Sequence, residues 1–397
     1  MVAEIAGLKH VDEMIVKTIT LEDGSSVRGL VLATNAQVFV LTTQSKDEDK
    51  SASTITILAS DQNCINNLLI TKYKYNEDSG NILRLEATNP NLGIAAFEEL
   101  CTLLVYLPSS KVQSVNHESS EDCLIGTGVL SIESDSEIEI TSSGSGGLFI
   151  ASDSKMEVES LKVQSYGSGN IQLNMQELVV QDSISINGQA SGSISLSAAL
   201  ITADSIKTQV VGSGNIYISA STLSVDTLES STLSSGDINY YYRGECDTHN
   251  LYIYGSGNIN SGSITCQDTN AHISGSGNAY VQTVDVLTVS AESSGDVRYY
   301  NQTPDVINAD KKSYPKYSKK NRFEVFSEME PPTIDNPQKS THIIPNIWTP
   351  FGISPNSLPS ISGKNMAIGF LIWLLCSYII RKRRRTREQR RYFIPVQ

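Results

Sequence analysis

A four-residue phrase built on glycine returns at nearly even steps through the middle of the chain. It reads GSGG at 144–147, GSGN at 167–170, 212–215, 255–258 and 275–278, ASGS at 190–193, and SSGD at 234–237 and 293–296. Successive second glycines (Gly146, Gly169, Gly192, Gly214, Gly236, Gly257, Gly277, Gly295) are 23, 23, 22, 22, 21, 20 and 18 residues apart. A steady period of about 20 residues marks an architecture in which each unit stacks on the one before.

Two apolar columns follow each phrase. The first is Leu148, Ile171, Ile194, Ile216, Ile238, Ile259, Ala279 and Val297; two residues on come Ile150, Leu173, Leu196, Ile218, Tyr240, Ser261, Val281 and Tyr299. Apolar residues two apart with polar ones between them are the period of a half-buried strand, and no repeat carries a helical stripe. Leucine-rich repeats need more leucines per unit and a helical return, and WD propellers need about twice the period. The expected fold is all-β: a parallel β-helix of about eight coils, stacked at roughly the 4.8 Å strand spacing.

The corner residues divide into two roles. Glycine is expected to turn the corner by adopting positive φ. The residue after it is expected to stack as a side-chain ladder or turn cap. These corner pairs are Gly169–Asn170, Gly214–Asn215, Gly236–Asp237, Gly257–Asn258, Gly277–Asn278 and Gly295–Asp296. A calcium array is the alternative, but most of these positions are neutral Asn. A phosphate-cradling loop would need a helix behind the glycines, whereas here a strand follows.

The repeated G-S-G-N/D with a following apolar residue resembles the bacterial head GIN domain family of auto-transporter adhesins. LLVYLPSSKVQSV (103–115) is similar to that family's approach to its repeats, and SSGDVRYYNQTPDVIN (293–308) to its closing one. The resemblance spans Ile15 to Asn308. It implies a β-helix-like fold and an adhesive role.

The rest of the chain caps or tethers the array. Residues 1–14 are unassigned and carry no secretory-signal pattern; 15–125 read as a β cap and approach strand, and 126–308 as the solenoid. A helix within 92–104 and a turn over 61–67 are expected inside the cap. Nine of the twelve prolines fall between Pro304 and Pro359, beside six basic residues from Lys311 to Arg322, so 309–363 reads as a stalk. Residues 364–381 enclose MAIGFLIWLLCSYII, a fifteen-residue uncharged run at 366–380. It is shorter than the ~20 residues a bilayer core favours, but the flanking Lys364 and Arg381 can snorkel. The tail from Arg381 onward holds eight basic residues and Glu388, a net +7 that leaves −20 on the preceding 380 residues. An apolar run followed by dense Arg/Lys is a stop-transfer pattern. The expected arrangement is single-pass type I: membrane-anchored, the solenoid extracytoplasmic, the basic tail (382–397) cytoplasmic. An acidic body argues against nucleic acid as a partner.

Cys246 and Cys266 are one coil apart in sequence, as are Cys101 and Cys123, so a disulfide is expected at the first pair and, less strongly, at the second; buried free thiols are the alternative. His10, His117, His249, His272 and His342 are scattered, and no metal or cofactor motif, nucleophile elbow or catalytic residue stands out. Tyr217, Tyr241, Tyr280 and Tyr300 fall on the outward strand phase, with Tyr252 and Tyr254 near them. They read as candidate exposed contacts for a glycan or a partner protein, or as cross-strand packing. The favoured reading is a non-catalytic, adhesin-like ectodomain. A carbohydrate-active β-helix enzyme, recognisable by two carboxylates with an Arg or Lys in one groove, and a plain spacer are the alternatives.

Overall fold

The computed structural model describes residues 5–11, 14–21, 27–42, 53–59, 62–74, 80–88, 101–107, 111–322 and 324–332. The apolar run at 366–380 and the basic tail lie outside the described residues. Among the described residues no helix is long and apolar enough to cross a membrane.

The chain is an all-β solenoid of about nine turns. Its first part holds β1 (Ile5–Val11), β2 (Met14–Leu21), β3 (Val27–Ala33), β4 (Gln37–Thr42), β5 (Ser53–Ala59), a one-turn helix α1 (Gln62–Asn66), β6 (Leu68–Lys74), β7 (Asn81–Ala87), β8 (Cys101–Leu107), β9 (Ser114–His117), β10 (Cys123–Ile125) and β11 (Glu137–Ser142). Seven long strands follow: β12 (Leu148–Ser165), β13 (Ile171–Gly188), β14 (Ile194–Val210), β15 (Ile216–Thr232), β16 (Ile238–Ile253), β17 (Ile259–Ile273) and β18 (Ala279–Ala291). The chain then closes with β19 (Val297–Tyr300), β20 (Val306–Ala309) and β21 (Lys316–Ser318). The helix falls where a turn was expected. Of the expected helix at 92–104, the described part (from Cys101) is strand β8.

Each long strand pairs in parallel with its predecessor and successor. A coil is one continuous ladder bent at bulges rather than two or three separate strands, because the backbone keeps its partners above and below around the bends. The ladder runs Leu148↔Ile171↔Ile194↔Ile216↔Ile238↔Ile259↔Ala279↔Val297, which is the first column read from the sequence. All eight side chains are buried. Strand length falls from 18 residues in β12 to 13 in β18, so the interior tapers, and small residues such as Ala271 and Ala279 line its narrow end.

Coiling begins earlier than the repeats. Leu103↔Val38↔Cys123↔Leu148 and Leu83↔Leu30↔Val115↔Ile140 extend the same buried columns through β8, β4, β10 and through β7, β3, β9. Space and sequence differ in order here: β3 and β4 lie between β7/β8 and β9/β10. Beyond β7 and β8 the pairing turns antiparallel, with β6 on one and β5, β2 and β1 in turn on the other. This covers the first coil's open edge, the place where a solenoid would otherwise recruit foreign strands.

The glycine corners are set by crowding. Among the described glycines only Gly128 has a positive φ, +76°, so left-handed backbone is not why the repeat glycines are there. A Cβ built on Gly169, Gly214 or Gly277 would instead be driven into the carbonyl oxygen of Gly146, Gly192 or Gly257 on the coil below. The corners stack main chain on main chain. The next residue locks them: the side-chain oxygens of Asn170, Ser193, Asn215, Asp237, Asn258 and Asn278 accept the backbone N–H of Ser193, Asn215, Asp237, Asn258, Asn278 and Asp296, at 2.6–3.1 Å. Asp122 starts the run by accepting from Gly147 N–H at 2.7 Å.

The core also contains a polar relay. Tyr240 takes an aliphatic position and reaches across the interior, where its hydroxyl meets Thr208 (2.8 Å) and Ser230 (2.9 Å). Ser230 in turn meets His249 Nε2 at 3.1 Å, and His249 Nδ1 lies 3.4 Å from Ser261, whose hydroxyl donates to Tyr280 O. Ser261 thus spends its proton on a carbonyl and must accept from Nδ1–H, leaving Nε2 to accept from Ser230. The relay fits a neutral imidazole, and burial holds the His249 pKa down to about 3. His117 is also buried and shifted down; its Nε2–H donates to Glu121 O and Nδ1 faces Ser142 Oγ, each at 3.1 Å.

Cys246 and Cys266, in register on β16 and β17, form a disulfide with Cα atoms 4.4 Å apart. Cys101 does not pair with Cys123. It bonds to Cys64, on α1, with Cα atoms 6.0 Å apart, and Cys123 is a buried free thiol between Val38 and Leu148. A 22-residue interval puts residues on adjacent coils only inside the repeats; here β4 lies between β8 and β10, so Cys101 and Cys123 are two strand spacings apart.

Two predictions follow from these contacts. Gly214→Val should cost about 3 kcal/mol in urea unfolding, because the added carbons force the corners apart; stability within 0.5 kcal/mol (~ the scale of a neutral surface change) would mean the corners do not touch. For His249, the unfolded chain takes up a proton near pH 6.5 whereas the folded chain resists until about pH 3. Stability should therefore be full above about pH 6.5 and fall as pH drops toward 4. In His249→Gln the slope across that window should flatten, and an unchanged slope would place the proton uptake elsewhere.

Candidate functional site

The candidate site is the outward sheet face just past the glycine corners. Its central column, in ladder order, is Phe149, Gln172, Ser195, Tyr217, Asn239, Asn260 and Tyr280. These residues alternate with the inward isoleucines, so water should reach them. All seven are buried, none above 8% exposed.

Residues 321–322 and 324–330 cover part of this column. After β21 the chain turns, closed by a bond from Ser318 Oγ to Lys320 O (2.7 Å), and runs back along the solenoid axis. Asn321 donates to Ser263 Oγ at 2.8 Å and lies over Gly262, where a Cβ would strike its amide. Arg322 donates to Tyr280 OH (3.1 Å) and stacks over the ring at 5.5 Å, while Arg298 approaches the same ring at 5.8 Å. Glu324 N–H donates to Asn239 Oδ1 at 3.0 Å, and Phe326 packs on Tyr217 with ring centres 5.2 Å apart. Met329 N–H donates to Gln172 Oε1 (3.1 Å), and Asn170 Nδ2 donates to its sulfur (3.3 Å). From Tyr280 to Gln172 is five coil steps, roughly 24 Å, which seven extended residues span at about 3.4 Å each. The segment is a strap laid across the coils.

The strap corrects two expectations. The stalk expected from 309 onward begins as structure: β20, β21 and the strap all pack on the solenoid. Tyr217 and Tyr280 are buried rather than exposed because the strap lies on them, and Tyr241 is buried at 8% as well. Tyr300 is half-buried, opposite Ser318 of β21. The Tyr217 oxygen accepts from Asn215 Nδ2 at 2.9 Å, and burial pushes its phenol pKa up.

The most exposed aromatic among the described residues is Tyr242, which follows Tyr241 and was not singled out by its strand phase. The ladder slips between Asn239 and Gly244 on the β17 side and between Ala220 and Leu223 on the β15 side. That bulge holds Tyr242 at φ +79° and 66% exposed, its ring 4.8 Å from that of Tyr241. A bulky residue in left-handed backbone is strained by about 1–3 kcal/mol and is uncommon outside sites where the geometry is used. A second exposed row, Val211, Leu233 and Tyr254, stands before the corners of three successive coils, beside the stacked ring of Tyr252.

The charged groups on this face pair with one another: Arg322 lies near Asp237 and Glu324, and Asp296 pairs with Arg298 and Lys316. Among the described residues no group of three or more His, Cys, Asp or Glu could hold a metal ion. Arg84 does lie between two carboxylates, 2.8 Å from Glu86 and 3.6 Å from Glu118. It is a surface ion cluster on the cap, and the Arg84 hydrogen bond lowers the Glu86 pKa, the wrong direction for a general acid. Asp296 is lowered too, chiefly by its hydrogen bond from Lys316.

Residues 182–303 match the family model described as "Putative auto-transporter adhesin, head GIN domain". Solved structures similar to the chain include a putative adhesin from Bacteroides fragilis, 16% identical over 63% of this chain and 97% of its own, with a TM-score of 0.44. A putative adhesin from Parabacteroides merdae is 16% identical, covering 78% and 97%, with a TM-score of 0.41. A putative lipid binding protein from Parabacteroides distasonis is 14% identical, covering 77% and 97%, with a TM-score of 0.39. No curated protein matches.

The strap's energetics are finely balanced. Five polar contacts at about 1 kcal/mol each, with about 4 kcal/mol from Phe326 and Met329, face roughly 10 kcal/mol for ordering ten residues. Phe326→Ala should therefore release it: hydrogen exchange at Glu324 and Met329, whose N–H groups bond the column, should speed at least tenfold (about 1.4 kcal/mol or more) while the coil amides stay protected. Unchanged exchange in the strap would show that Phe326 does not hold it.

Proposed function

We propose that the chain is an adhesin-like surface module that acts by contact and not by catalysis. It is held in a membrane by the apolar run at 366–380, with the solenoid outside and the basic tail inside. The observation that carries the reading is Tyr242: an exposed aromatic, braced by Tyr241, kept in strained backbone on an otherwise rigid array. An aromatic so placed offers contact area at little entropic cost, which suits a glycan ring or a partner protein's surface. The match of residues 182–303 to an adhesin family supports it. Two disulfides support the extracytoplasmic side, since such bonds persist in oxidising compartments. The charge split supports the orientation.

Tyr242→Gly separates binding from folding. Glycine accepts the left-handed φ, so stability should hold or rise by about 1 kcal/mol after glycine's own entropic cost. Adhesion of cells displaying the full chain, or retention on a glycan array, should fall tenfold or more (about the loss of one contact hot spot). Equal adhesion with raised stability would leave Tyr242 a packing accident and favour the spacer reading. Protease added to intact cells should remove the solenoid and spare the tail; the reverse pattern would overturn the orientation.

A further inference from the structure

The strap marks the chain for exchange between copies. Its contacts are few and side-chain-led, and Glu324, Val325, Ser327, Glu328 and Glu330 face solvent. The column beneath is built to receive it: Asn239, fully buried, accepts from both Glu324 N–H and the Asn260 amide through one oxygen. Gly262 leaves room for Asn321 and no more.

The two ends of the solenoid differ. The first coil is closed by antiparallel strands, whereas at the last coil, among the described residues, β20 pairs only with β18 and β21 only with β19. The turn that launches the strap, at Ser318–Lys320, is at that same open end. Swinging the turn open sends the strap away from its own column and frees the groove.

We propose that the strap of one copy (321–322 and 324–330) docks in the groove of a second copy, which returns its own strap, giving a two-fold dimer joined at the ends where, among the described residues, β20 and β21 have no further strand partner. Every strap contact, from Arg322 on Tyr280 to Met329 on Gln172, is remade in trans, so the exchange costs no interaction energy. Identical open edges meeting about a two-fold axis are self-complementary, which makes a second copy the fitting occupant. The strap on its own chain is its own competitor at high effective concentration, so exchange takes over where copies are crowded, as on a surface. The dimer names a partner for the adhesive reading and rests on that reading only for its use; it requires neither Tyr242 nor a membrane.

Two variants of the full chain, each adding one cysteine to the six already present, test it. Tyr217→Cys and Phe326→Cys are mixed, concentrated from about 1 μM to about 1 mM (the range in which a tethered competitor is overtaken) and allowed to oxidise. A covalent dimer can form at this pair only if one copy's strap occupies the other's groove. The expected result is a disulfide-linked dimer that grows with concentration and exceeds, by tenfold or more, that from Tyr217→Cys mixed with Val325→Cys, whose side chain faces away. The parallel pair Gln172→Cys and Met329→Cys, which keeps Phe326 on Tyr217, guards against a strap released by the loss of that ring, and the double variants in one chain guard against a variant that fails to fold. Closure within the double variant with no cross-chain bond at any concentration overturns exchange. No closure within the Gln172→Cys/Met329→Cys double variant, which retains Phe326, overturns the strap's seat itself. Loss of adhesion in Tyr242→Gly would leave both results unaffected.

Discussion

Everything in this solenoid depends on how closely one coil's corner lies on the next. At Gly169, Gly214 and Gly277 the main chain rests on the carbonyl of the coil beneath, with no space for a single methyl group. That contact fixes the coil spacing at one edge, and the Asn/Asp rung beside it fixes the register, since each side-chain oxygen takes the N–H directly above. Once spacing and register are set, the isoleucine column must stack in line and every alternate side chain must face outward. The hydrophobic core is the larger energy, but it is indifferent to sliding by one residue pair; the corner is not.

What could be read from the sequence divides along the same line. The isoleucine ladder was legible because a period of about 20 residues brings equivalent positions into register without knowledge of the path between them. The glycines were legible as corners but not for their reason: sequence cannot separate a residue chosen for positive φ from one chosen because a Cβ has nowhere to go. The polar relay left a trace, as Tyr240 and Ser261 interrupt an aliphatic column, and a hydroxyl arriving across a narrow interior demands partners such as Thr208 and Ser230. Cys64 left none, because its pairing with Cys101 is made in the cap, where spatial and chain order part company.

The strap was the least legible element. An extended segment lying across the strands needs no alternation, so Phe326 and Met329, three apart among charged and polar residues, look like linker. Its presence changes the meaning of the tyrosines. Strand phase alone puts Tyr217 and Tyr280 on the outer surface, and that placement is right. Exposure is a separate matter, settled by a segment about 100 residues away from Tyr217. Tyr242 escapes the covering because the bulge lifts it clear, which phase counting cannot anticipate.

Rigid and labile parts are thus kept separate along one surface. The coils, locked by corners and a disulfide across β16 and β17, hold a straight row of side chains at a fixed pitch. The strap is held at only a few points, so it can leave without disturbing a single coil hydrogen bond. A covering made from the coils themselves could not, since each of their strands is paired on both sides. Placing the removable element perpendicular to the ladder is therefore what lets a stack this stiff have an adjustable face.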